Sequence, residues 1–325
     1  MHVLTRIADL GGSARFAELG AQRSQLARLE REGRLTRDGT GLYLVPGAPP
    51  DLVAAARING VVSCVSALRA DGIDVPGDAS ILHCSVPRHR GTARVPGAGL
   101  VRHHEDVGLA ARPRTAAPRW AAARAVQCLP LDRAVAVLDS VAGRCGRVDV
   151  DDVLGIVATR SPRRARDLLD LTDPACRSWA ETSARLALRH GGLRVRAGLV
   201  IEGVGEVDLL VEGVLIMEID GFAYHSGRGE YRRDRRRDVA GLARGFPTVR
   251  LAYEDAMEPA LVMSAALGGL DAVGWKPLAT ARSVPSWEAN AATAVRRRAL
   301  VAWQDDPRGL GRTTGGAPSA AVSGW

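Results

Sequence analysis

The sequence predicts a mixed α/β fold in successive parts, and three observations carry that expectation. Residues 1–47 alternate short helical runs with a hairpin signal, and a central stretch mixes helical and extended runs. Residues 179–252 then read helix, three strands, helix, strand. At 325 residues the chain is long enough for several cores, expected at 1–48, 51–172 and 173–260, with an extension at 261–325.

In the first part, Val3, Leu4, Ile7 and Leu10 recur at helical spacing, and Gly11-Gly12 stops that helix. Phe16, Ala17 and Leu19 begin a second helix that ends at Gly20. A third, Ser24 to Glu32, turns Leu26 and Leu29 inward and leaves Gln22, Arg23, Gln25 and Arg28 to point outward. Asp38-Gly39-Thr40-Gly41 then separates Arg34-Leu35 from the strand Leu42 to Val45, a strong hairpin signal. Three helices and a hairpin are the order of a winged helix-turn-helix, whose third helix enters the major groove of DNA. The plainer reading is a small helical cap with an incidental hairpin.

Pro46 to Pro50 reads as a linker. In the α+β middle part, Val61 to Leu68 enters a helix, Ile81 to Pro87 and Val101 to His104 are strands, and Leu131 to Val141 and Val150 to Ala158 are amphipathic helices. His83, His89, His103 and His104 have no carboxylate or Cys at ligand spacing, and the adjacent pair would point to opposite sides of a strand. No metal is expected there. The five cysteines are never spaced Cys-x-x-Cys, so neither a disulfide framework nor a zinc ribbon is indicated. They read as reduced thiols of a cytoplasmic protein.

Composition points the same way. The formal charge of +8 favours an acidic partner, nucleic acid first among them, although an arginine-rich proteome with solvated basic faces would look alike. No apolar run approaches the length of a membrane span, so no membrane partner is expected. Beyond Pro259 the pattern fades. Trp287 to Trp303 reads as one amphipathic helix, and the Gly-, Pro- and Ser-rich stretch 305–325 as disordered.

The most informative run is Val207 to His225. It sets Asp208, Glu218 and Asp220 inside two intensely apolar strands, where an unpaired charge costs several kcal/mol or more. Carboxylate oxygens close together suit a hard cation such as Mg2+ or Mn2+, and such an ion beside a phosphodiester is the usual means of hydrolysing it. Glu218 and Asp220 share one strand face, while Met217 and Ile219 take the other. Asp208 joins them only if the connecting turn is right. A two-residue turn at Glu212-Gly213 would pair Met217 with Asp208 and send the carboxylate to the wrong face. A three-residue loop or a bulge would bring Asp208 level with Glu218.

Two resemblances add to this reading. The helix carrying Gln25, with Gly33 and Leu35 after it, followed by Gly-Leu-Tyr-Leu-Val-Pro-Gly at 41–47, resembles the winged-helix N-terminal domain of AbiEi-family antitoxins. Ser-Cys-Val-Ser-Ala-Leu at 63–68 resembles the start of their second domain. Residues 176–258 are similar to the very-short-patch-repair-like endonuclease domain, a branch of the PD-(D/E)XK superfamily with a restriction-endonuclease-like αβββαβ core. That likeness rests on Ser178 with Glu181, Val207-Asp208, Glu218-Ile219-Asp220-Gly221 with His225, Tyr231 with Asp234, Arg235, Arg237 and Asp238, Leu242 with Gly245, and Val249-Arg250 before Glu254-Asp255.

The resemblance implies roles. Asp208 would be the principal metal ligand, completed by Glu218 or its neighbouring carbonyl, and Glu181 would hold a metal-bound water. Asp220 and His225 stand where the family has Asp-Gly and a downstream His, with His225 a candidate general acid or base. Arg232, Arg235, Arg236 and Arg237 would neutralise phosphates of double-stranded DNA. One departure weakens a catalytic claim: the superfamily's Glu-x-Lys becomes Glu218-Ile219-Asp220, with no lysine nearby and arginine unable to act as a base. The implied activity is a metal-dependent DNA endonuclease. The alternative is a non-enzymatic DNA-binding regulator of the antitoxin type, with a cognate toxin as partner. Plainer readings stand beside each residue: Glu181 pairs with Arg185 one turn on, Asp220-Gly221 ends a strand, and Asp234 and Asp238 offset the arginines of their own helix.

Overall fold

The computed structural model describes residues 3–88, 99–110, 112–143, 149–220 and 228–276. Within it, mixed helices and small sheets divide into two compact units, the first ending at Leu169 and the second beginning at Asp170.

The first unit opens with α1 (Val3–Asp9), β1 (Ser13–Arg15), α2 (Phe16–Leu19), α3 (Arg23–Arg31), β2 (Thr36–Arg37) and β3 (Leu42–Leu44). The expected helices and hairpin are present. A strand absent from the sequence reading, β1, pairs antiparallel with β3 and makes a sheet in the order β1-β3-β2. Three residues are too few for alternation to show. Ile7, Leu26, Leu29, Leu35 and Tyr43 bury together beneath these elements. The hairpin turn is locked by Asp38, which accepts from Thr40 N–H, the Thr40 hydroxyl and Leu42 N–H and pairs with Arg57. Burial alone would raise the Asp38 pKa, but these donors prevail and hold it at about 2.

The expected linker runs directly into α4 (Pro50–Arg57), whose first residue is a proline that loses no helical hydrogen bond there. Next come β4 (Val61–Val62), α5 (Cys64–Ala70), β5 (Leu82–Val86) and β6 (Leu100–His104). The sheet order is β4-β5-β6, with β4 antiparallel and β6 parallel to β5. Four further helices follow: α6 (Pro118–Cys128), α7 (Leu131–Gly143), α8 (Val150–Ala158) and α9 (Pro162–Leu171). Helix α6 packs on α5, α7 and α8. Its alanines at 121, 122, 123 and 125 bury completely or nearly so, yet carry too little apolar contrast to stand out in sequence.

The second unit is the predicted helix, three strands, helix, strand: α10 (Trp179–His190), β7 (Val195–Ile201), β8 (Gly205–Val211), β9 (Leu215–Asp220), α11 (Arg228–Ala243) and β10 (Thr248–Ala252). The sheet order is β10-β9-β8-β7, with β10 parallel to β9 and the other pairs antiparallel. Alternation sorts the faces. Leu209, Val211, Leu215 and Met217 join Ala180, Ala184 and Leu188 of α10 in one core, while Leu210, Ile216 and Phe246 form a second, which Val207 also joins against the alternation of its strand.

Although the sequence pattern fades beyond Pro259, the described residues there are helical as far as Ala272. They form α12 (Pro259–Ala272), which contributes Val262, Ala266 and Leu270 to the larger core. Apolar residues around most of this helix, with Gly268 and Gly269 inside it, hide the usual periodicity. Packing on β9 and β10 makes up for the weak propensity. The glycine is part of that packing: a Cβ at Gly269 would stand 2.8 Å from Leu215 Cδ1 and 3.1 Å from Val249 Cγ2. Gly269→Val is therefore expected to destabilise the protein by about 2–3 kcal/mol through overpacking, read as a lower denaturation midpoint with unchanged slope.

Candidate functional site

The decisive geometry is the register of β8 on β9. Leu209 lies opposite Met217 and Val211 opposite Leu215, leaving a three-residue loop of Glu212, Gly213 and Val214. The two-residue turn is thus replaced by the longer connection, and just past the last of these pairs the Asp208 carboxylate comes within hydrogen-bonding reach of Glu218. The loop is held in place by Glu212, whose backbone adopts φ 51° and whose carboxylate accepts from Arg194 N–H at 2.8 Å and from its guanidinium at 2.7 and 3.0 Å. These bonds hold a non-glycine residue in the left-handed region.

Asp208 Oδ2 accepts from Ile219 N–H at 2.8 Å, and Oδ1 lies 3.6 Å from the Arg177 guanidinium. Glu218 lies 3.4 Å from Arg237 and is pushed up to about 8, first by burial and then by the charge of Asp208, to which its protonated form donates a hydrogen bond. Glu181 comes from the N-terminal turn of α10. Its Oε1 accepts from the Ser178 hydroxyl at 3.0 Å and its Oε2 from Arg177 N–H at 2.8 Å, while Ser178 Oγ caps Glu181 N–H. Burial, opposed by the Arg177 N–H bond and reinforced by Asp208, pushes it up to about 7. Arg185 donates to Cys176 Sγ at 3.2 Å and to Leu171 O at 2.9 Å.

Two carboxylates, Glu218 and Glu181, therefore flank Asp208, and the three cannot readily ionise together. They do not form, among the described residues, a trio of oxygens all within 4.8 Å of one another.

The raised values have a pH consequence. A carboxyl whose folded pKa lies above its unfolded value binds more protons when folded, so its contribution to stability is complete at low pH. For Glu218 it is lost as pH rises from about 4.5 through about 8. Glu218→Gln is expected to remove this loss, gaining stability over wild type at pH 9 relative to pH 5 in melting curves. Equal differences at both pH values would exclude the raised pKa.

The other expected site residues divide. Asp220 is mostly exposed and pairs with Arg250 at 3.1 Å, and Arg250 also reaches Asp238 at 2.8 Å. Arg237 turns inward, donating to Val204 O at 3.1 Å and to Glu206 O as well as approaching Glu218. Arg235 and Arg236 are exposed, Arg235 bonding Asp238. His225, His89, the side chains of Arg232 and Asp234, and the stretches at 287–303 and 305–325 lie outside the described residues. Arg177 was missed, and Arg250, part of the motif Val249-Arg250, was given no role: one precedes a helix and the other sits in a strand, and neither carries a local signal of its approach to these carboxylates. At the N-terminus Gln22, Arg23 and Arg28 are exposed and Gln25 is partly so; Arg23 lies over the Phe16 ring and Arg28 pairs with Glu32.

The sequence offers the histidines no cysteine at ligand spacing, but the structure brings two cysteines to them. Cys64, His83, His103 and Cys128 bring four ligand atoms within 4.8 Å of one another, a group able to hold a metal ion. His83 Nδ1 and His103 Nε2 are 3.3 Å apart, and Cys128 Sγ is 3.9 Å from His83 Nδ1. The separations along the chain, 20 residues between the histidines and 45 from His83 to Cys128, explain why local spacing did not reveal it. Hydrogen bonds from Cys64, His103 and His83 hold the Cys128 thiol well below its usual value, and the same contact with Cys128, together with burial, raises Cys64.

Compared with protein families, curated proteins and solved structures, the chain has no match.

Proposed function

We propose that the protein is a metal-dependent DNA endonuclease-like hydrolase, its second unit supplying the phosphodiester site and its N-terminal winged helix-turn-helix supplying duplex DNA binding. The observation that carries this reading is the placement of Asp208 beside Glu218, under the raised pKa values that a cation would relieve. Asp208 and Glu218 would hold Mg2+ or Mn2+, which supplies charge stabilisation and a more acidic water when bound. Glu181 is positioned to accept or hold a proton near neutral pH, as its pKa of about 7 suits. Exposed Arg235 and Arg236 would meet DNA phosphates, whereas Arg237 balances the Glu218 charge from inside the site.

A second reading has its own support. Arg177 and Arg237 already neutralise part of the carboxylate charge, and no lysine accompanies Glu218. These features favour a DNA-binding regulator of the antitoxin type that keeps the nuclease core as a scaffold. Incubation of the purified protein with supercoiled plasmid and Mg2+ or Mn2+ separates the two. Nicking that needs the metal and stops on chelation is the expected outcome. Tight binding to its own promoter, with no cleavage of any nucleic acid in either metal, would leave the regulator.

A further inference from the structure

We propose that Cys64, His83, His103 and Cys128 form a closed structural zinc(II) site in the first unit, independent of the carboxylates in the second. The donor set is two sulfurs and two imidazoles, the soft and borderline ligands that zinc takes in four-coordinate structural sites. Distances support a single tetrahedral ion. With Zn–N near 2.0–2.1 Å and Zn–S near 2.3 Å, a tetrahedron places two nitrogens about 3.3 Å apart and a nitrogen about 3.6 Å from a sulfur. The corresponding separations here are 3.3 and 3.9 Å. A two-iron cluster would bind the cysteines and histidines on different metals, too far apart for this sulfur–nitrogen approach. Magnesium or calcium would require oxygen donors, and the group has none.

Each ligand comes from a different element. Cys64 is the first residue of α5, His83 lies on β5, His103 on β6, and Cys128 closes α6. Parallel pairing sets His103 level with Ser85, so the two histidines are diagonal neighbours on one face of the sheet. Alternation turns His104 outward, where it is exposed, and keeps Cys84 off the site. Cys64 is completely buried and both histidines are 9% exposed, so little water is available to satisfy these three, while Cys128 closes the group from the surface. Cys64 also adopts φ 54°, a conformation costly for any residue but glycine and retained where surrounding bonds over-determine it. A metal–thiolate bond would be such a constraint.

With four protein donors no position is left for water or substrate, which makes the role a cross-link between two helices and two strands. Binding displaces the thiol protons, so affinity falls at acid pH.

The full-length protein, purified without chelator, is expected to carry about one zinc per chain by elemental analysis. Cobalt(II) added to the reduced, metal-stripped protein should give the intense ligand-field absorption of a tetrahedral ion and a thiolate-to-cobalt charge-transfer band. The band reports the thiolates, so a cation held by the carboxylates would not produce it. Cys128→Ser and His103→Asn should each abolish or shift these bands, while His104→Gln leaves them unchanged. Removal of zinc should lower the melting temperature by about 10 °C or more, restored by zinc but not by magnesium. Two results would overturn the site: no bound zinc together with no tetrahedral cobalt spectrum from wild type, or a spectrum that survives both Cys128→Ser and His103→Asn. Because the wild-type cobalt titration needs no variant to fold, a collapsed mutant cannot obscure the answer.

Discussion

In Asp208→Asn, metal-dependent plasmid nicking is expected to fall by at least about a hundredfold while the protein stays folded. The asparagine keeps an oxygen able to accept the Ile219 N–H bond, so β8 and β9 stay anchored. The charge is lost. That charge helps to raise both Glu218 and Glu181, so their pKa values should move toward the ordinary carboxylate range in the variant. The second effect is visible in melting curves across pH even if wild type never cuts DNA. Undiminished nicking by the variant would remove Asp208 from the site. An unchanged pH profile would remove the electrostatic coupling on which the cluster is built.

Glu105→Ala is expected to cost about 3–5 kcal/mol, the largest single loss of stability proposed for the first unit. Its carboxylate is almost completely buried and accepts from Ser85 Oγ at 3.0 Å, from Arg124 through two nitrogens and from Arg160 at 3.0 Å. Burial opposes its ionised form, but the Arg124 and Arg160 bonds prevail and hold the pKa below its usual value. Removal would leave the Arg124 guanidinium, itself largely buried, facing Arg160 with no counter-charge between them. Chemical denaturation measures the loss directly, and a cost below about 1 kcal/mol would show that the network contributes no more than an exposed pair.

The second unit was largely legible because its signals are local. Carboxylates two apart on an apolar strand share a face whatever surrounds them, and Gly191-Gly192 and Gly245 mark the helix ends next to α10 and α11. Helices α6 and α12 were not legible. Alanine in the one and apolar residues on most sides of the other leave little contrast between faces, so burial alone defines them. The Arg177 and Arg250 contacts were hidden for another reason: each depends on how separate elements meet, which no local spacing encodes.

Propensity, periodicity and turn chemistry act over a few residues, so the order of elements and the charge within apolar strands can be read along the chain. Which groups meet depends on how the elements pack. A single extra loop residue, held by the bonds of Glu212 to Arg194, turns Asp208 toward Glu218 rather than to the opposite face. Likewise Cys64, His83, His103 and Cys128 lie far apart along the chain and become neighbours because β5 and β6 pair in parallel against α5 and α6. Ligand distance is a property of space, and chain separation places no short-range constraint on it.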